Sequence, residues 1–165
     1  MQQNVIENEF NRKYEPLATI QPGAAIEFRV TSSKYLYLNQ NNSRLHVLAK
    51  TTKAAGTSID ANTAASINLT FHSMCREIGV ELNGQNVGDT SKLYPYCWFV
   101  ETLFNYSKET QETQLLCEGW TKDTIVHVNV ISVGKNNAGL NARVVNIARS
   151  TVVELIGRPH TDVFH

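Results

Sequence analysis

Apolar residues recur at every second position along much of the chain. Ile26, Phe28 and Val30 alternate with Glu27 and Arg29, which puts the three on one face of an extended strand. Tyr35-Leu36-Tyr37-Leu38 is a short aromatic-rich run of strand type. Leu45, Val47 and Ala49 alternate with Arg44, His46 and Lys50 and predict a half-buried strand. Ile78, Val80 and Leu82 alternate and run into Asn83-Gly84. That dipeptide marks a tight hairpin, because both central residues of a type I′ turn need positive φ. Val126, Val128 and Val130, then Val145 and Ile147, then Val153 and Leu155 before Gly157, continue the period of two. Polar or glycine-bearing stretches at Gln21-Pro22-Gly23, Asn39 to Ser43, Thr51 to Ala65 and Gly134 to Gly139 separate these runs.

The period lengthens to that of a helix over residues 94–106. Pro95 suits a first turn, where a missing N–H costs nothing. Tyr96, Phe99, Val100 and Leu103 follow at helical spacing and are read as the face turned to the core. One stripe does not also bury Trp98 and Phe104, so these two are assigned to a subunit interface, where such aromatics are enriched. Lys108 and Glu112 are spaced for an i,i+4 pair that extends the helix. Ile67, Phe71 and Met74 fit a short helix, and Ile67, Leu69 and Phe71 fit a strand equally well; the helix is preferred.

About seven short strands with turns between them and one clear helix near 95–106 predict an all-β fold, a jelly-roll β-sandwich. Residues 1–19 are rich in Gln, Asn and Glu and read as an N-terminal arm. Residues 20–165 form the jelly-roll domain. The apolar pair Val163-Phe164 stands just before the last residue, so the expectation is a jelly roll truncated at its C-terminus.

Composition narrows the function. Apolar residues make up 42% and charged residues 18% of 165 positions, which is globular and lightly charged. Fifteen basic and fifteen acidic residues leave no net charge, so direct nucleic-acid binding is not expected. Neutrality also removes a barrier to self-association. Three cysteines, Cys75, Cys97 and Cys117, are too few and too scattered for a disulfide framework or a zinc site. With no secretory or membrane-spanning run, the expectation is an intracellular protein that neither enters a membrane nor leaves the cell.

Catalysis needs convergent groups with tuned acidity. The histidines are scattered, and no nucleophile elbow, phosphate loop or dinucleotide fingerprint is present. His72 and Cys75, three apart, would neighbour each other on a helix; a buried structural cysteine beside a polar histidine outweighs a catalytic dyad. The chain is therefore read as no enzyme, with no catalytic, cofactor-binding or metal-binding residue. Arg158, His160 and Asp162 form the last polar group, read either as an intersubunit salt bridge or as a solvated turn, with even weight.

Ordered segments also carry a family likeness. Pro16-Leu17-Ala18-Thr19 precedes Ile26-Glu27-Phe28, and Leu45-His46-Val47 leads to Lys50 through Thr57. Phe71-His72-Ser73 comes before Val80-Glu81-Leu82-Asn83-Gly84, and Tyr94-Pro95-Tyr96 before Val100-Glu101-Thr102-Leu103. Tyr106-Ser107-Lys108-Glu109, Gln114-Leu115, Lys122-Asp123-Thr124, Glu154 to Arg158 and His160 to Phe164 complete the series. In order and spacing, over residues 16–164, the chain resembles the hexon-like double jelly-roll major capsid proteins of adintoviruses and Maverick/Polinton elements, copies of which lie in animal genomes. The resemblance implies the N-terminal portion of a capsid subunit that trimerises into a pseudo-hexagonal capsomer and builds a virion shell from like subunits. The alternative is a domesticated stand-alone β-sandwich that binds a protein or glycan.

Overall fold

The computed structural model describes the whole chain except residues 1–7, 32, 34–35, 89–91, 125–136 and 162–165. The chain divides into two units, Met1–Leu38 and Asn39–His165.

In the first unit the described residues form neither helix nor strand. Pro22-Gly23 turns the chain, with Gly23 at φ 79° and the Ala24 N–H donating to the Gln21 carbonyl at 3.2 Å. The Leu17 N–H reaches the Glu27 carbonyl at 2.8 Å. The strand expected over Ile26 to Val30 is absent. Its alternation is present, but among the described residues no strand pairs with it, and Ile26, Phe28 and Val30 are exposed. An alternating run without a second strand has no buried face to define. Of the run Tyr35 to Leu38, Tyr35 lies outside the described residues and Leu36 to Leu38 likewise form no strand.

The second unit holds the regular structure. Strand β1 (Leu45–Lys50) pairs antiparallel with β4 (Val152–Gly157), Leu45 opposite Gly157 and Lys50 opposite Val152. Burial alternates along both strands, as a half-buried pair requires. Leu155 is fully inside, and a Cβ on Gly157 would stand 2.7 Å from the Phe71 ring, so only glycine lets that ring lie on the strand. Between the strands come helix α1 (Thr70–Ser73), a hairpin of β2 (Glu81–Leu82) and β3 (Gln85–Asn86), and helices α2 (Tyr94–Asn105), α3 (Lys108–Thr113) and α4 (Ala138–Ile147). A 3-10 turn spans Gln114–Glu118. The hairpin turns on Asn83 and Gly84, both at positive φ, as the dipeptide predicts. The Lys108–Glu112 pair is present at 3.9 Å, in α3 rather than as an extension of α2.

This architecture corrects the all-β jelly-roll sandwich. Helix takes about 32% of the described residues and strand about 13%, in two sheets of two strands each. The fold is mixed α/β. The valine-rich run over 126–130 lies outside the described residues. Val145 and Ile147, read as a strand, belong to α4. Asn137 caps that helix, its Oδ1 accepting from Leu140 N–H at 3.1 Å and from Thr124 N–H at 3.2 Å. Leu140, Val144 and Ile147 then bury at helical spacing, and this period overrides the shorter one.

Two polar side chains tie the helices to the loop after the 3-10 turn. Asn68 donates from Nδ2 to the Thr121 carbonyl and accepts the Thr121 N–H, both at 2.8 Å, so an amide takes the place of a neighbouring strand. Arg143 on α4 is nearly buried; it reaches Ser66 and Thr121 and closes a two-pronged pair on Asp123 at 2.9 and 3.0 Å. Leu69, Trp98, Leu115 and Trp120 form the apolar centre beside these ties, with Tyr106 packed against it.

Candidate functional site

Helix α2 is apolar over most of its surface, with Glu101 its one ionic residue, and its two sides meet different surroundings. Turning by about 100° per residue, Tyr94, Trp98 and Thr102 fall on one side, and all three are buried. Tyr96, Val100, Leu103 and Phe104 fall on the opposite side, with the N-cap residue Leu93 just before them, and all five are exposed. Tyr96 is 71% and Phe104 82% exposed. Phe99 lies on the flank, its ring 6.1 Å from that of Trp120. The expectation that Tyr96, Phe99, Val100 and Leu103 face the core is thus reversed for Tyr96, Val100 and Leu103, while Phe99 sits at the edge of the core.

The inward side closes on a polar network around Trp98. The His72 ring lies 4.6 Å from Trp98 on one side and the His160 ring 4.2 Å on another. His72 Nδ1 stands 2.8 Å from the Tyr94 hydroxyl, and Nε2 3.1 Å from Glu118 Oε2. The His160 N–H donates to the same tyrosine oxygen at 3.2 Å, and the Arg158 N–H to the other Glu118 oxygen at 3.4 Å. A neutral His72 satisfies every contact when Tyr94 donates to Nδ1 and Nε2–H donates to Glu118. Burial drives the His72 pKa below its ordinary value, against the pull of Glu118, and the nearby His160 charge adds to the lowering. Burial raises the Tyr94 hydroxyl well above the usual tyrosine range.

The residues assigned to an interface divide accordingly. Trp98 is 4% exposed and belongs to the chain's own core, which takes it away from any partner. Arg158 and His160 are half-buried and serve contacts within the chain: Arg158 binds Glu118 through its backbone and lies by Tyr106, while His160 Nε2 pairs with Glu101 at 2.9 Å. Asp162 lies outside the described residues. Phe104 alone of the set projects outward. His72 and Cys75 do not form a dyad: both ring nitrogens of His72 are engaged, and the Cys75 thiol faces the Phe71 carbonyl at 3.5 Å. Burial pushes that thiol up, away from the thiolate form that a nucleophile needs. Among the described residues no three potential ligands gather to hold a metal, and no helix is long and apolar enough to cross a membrane.

The polar network was hidden from sequence reasoning because its members are far apart: His72 to Glu118 spans 46 positions. The outward stripe left a local trace, since Leu93, Tyr96, Val100 and Leu103 are spaced three, four and three apart, the pattern of a helix–helix seam. Comparison with known protein families, curated proteins and solved structures finds no match to this chain.

Proposed function

We propose that this chain is a structural subunit of a viral-type capsid, working by association with like copies into a trimer or a larger shell. The observation that carries the reading is the outward side of α2, where four apolar residues and the preceding Leu93 stand together in solvent. An apolar helix face is stable when it is packed against another surface, and isolated chains rarely leave such a patch open. The ordered segments that resemble hexon-like capsid proteins support the same reading.

The role is architectural rather than catalytic. The only deeply buried histidine among the described residues is spent on Tyr94 and Glu118. Zero net charge fits contacts between copies better than contacts with a genome. Three free cysteines fit a reducing, intracellular site of assembly. The test is sedimentation of the purified chain at rising concentration. The expected result is a mass of three copies or more; a chain that stays monomeric up to its solubility limit overturns the reading.

A further inference from the structure

We infer that the outward stripe of α2 seats the same stripe of a second copy, so that like helices meet at a symmetry axis. This rests on the self-assembly reading above and names its contact surface.

The first ground is area. An aromatic side chain carries about 150–250 Å² of surface. At their exposures, Tyr96 and Phe104 together offer on the order of 300 Å², and the whole stripe on the order of 600 Å². Two copies closing on it bury on the order of 1,200 Å², the lower bound of a specific, stable interface.

The second ground is spacing. Leu93, Tyr96, Val100 and Leu103 follow the three–four–three interval at which knobs of one helix enter holes of another. Such a seam is complementary to itself. Around a two-fold axis the same surface of each copy meets, and residues near the middle of the stripe approach their own counterparts.

The third ground is charge. The segment from Leu93 to Phe104 contains one ionic residue, Glu101, which lies off the stripe on another side of the helix, paired with His160. Like faces therefore meet without like charges opposed. No acidic or basic patch on the stripe calls for a partner of opposite sign.

Two variants test this. Val100→Glu with Leu103→Glu places two charges on exposed positions of α2, and should leave the circular dichroism and Trp98 fluorescence of the folded chain unchanged. The expected result is a dissociation constant raised by at least about 100-fold, as for loss of a central hot spot. Val100→Cys, with Cys97 and Cys117 replaced by serine, should form a disulfide to the Val100→Cys of another copy under mild oxidation. A Leu48→Cys chain in the same background, exposed on β1, should not. If the wild-type chain associates but the double glutamate variant associates equally well, or Val100→Cys fails to cross-link, the α2 seam is wrong while self-assembly stands. Equal cross-linking through Leu48→Cys marks general stickiness and overturns the seam as well. If the wild-type chain never associates, self-assembly itself fails. Should the double variant not fold, the cross-linking result decides alone.

Discussion

His72 sits where an added proton has little to gain. Its ring is almost wholly out of water, with Glu118 at one nitrogen and the Tyr94 hydroxyl at the other. The lowered pKa states that desolvation outweighs the attraction of Glu118. The unfolded ring takes its proton near about pH 6.5, and the folded ring only at lower pH. Between those values the unfolded state binds more protons, so stability falls as pH falls. The His72 contribution is therefore complete above about pH 6.5 and is lost as pH drops through the folded value, no more steeply than about 1.4 kcal/mol per unit. Urea midpoints of the wild-type chain should drop between about pH 7.5 and about pH 5.5, and His72→Gln should flatten that drop. Equal slopes in both proteins would exclude His72 as the source. Thr102 presents the converse case. It is fully buried on the inward side of α2, and its hydroxyl has no partner among the described residues. Thr102→Val keeps the shape and removes a stranded polar group, so the urea midpoint should rise, by about 1 kcal/mol of stability; a fall would mean that the hydroxyl has found a partner.

At the scale of elements, α4 depends on a single side chain for its start. Asn137 Oδ1 holds both the Leu140 and the Thr124 N–H groups in a buried setting. Asn137→Ala should therefore cost about 1–2 kcal/mol in equilibrium unfolding, the upper part of the range for helix caps, and Asn137→Asp should recover most of it. A loss below a few tenths would show that α4 is held by Leu140, Val144 and Ile147 alone. Elements of this kind differ in how far the sequence discloses them. The Asn83-Gly84 hairpin, β1 and the extent of α2 are legible because their causes are local: a turn that needs positive φ, an alternation with a strand opposite it, a proline at a first turn. Ile26 to Val30 has the same alternation as β1 but no strand opposite among the described residues, and a period of two does not say whether a partner exists. Val145 and Ile147 satisfy two periods at once, and the cap that decides between them lies eight residues earlier than Val145, at Asn137. The rotation of α2 was illegible for a further reason. Both its sides are apolar, and what draws Tyr94 and Trp98 inward is a histidine, a glutamate and a second histidine supplied by α1, the 3-10 turn and the segment after β4.

For the molecule as a whole, the chemistry of its contact surface fixes how assembly responds to solvent. Opposite charges across an interface are screened by salt, over about 10 Å at 0.1 M and about 3 Å at 1 M, and such interfaces loosen as salt is added. The outward stripe of α2 is built from leucine, valine and aromatic rings, and the chain carries no net charge to repel its copies. Raising sodium chloride from about 0.05 to about 0.5 M should then leave the dissociation constant unchanged within a factor of about 3, since screening has no ion pair to act on. Sulfate, which strengthens apolar burial by exclusion from the surface, should tighten association. Cooling should weaken it, because burial of apolar surface loses its driving force as temperature falls. Sedimentation equilibrium across these three series reads all of them from one preparation. Assembly that loosens at least tenfold with sodium chloride would instead place the contact on charged surfaces such as the exposed Lys53–Asp60 and His46–Glu154 pairs, and would move the interface from α2 to the loop and sheet.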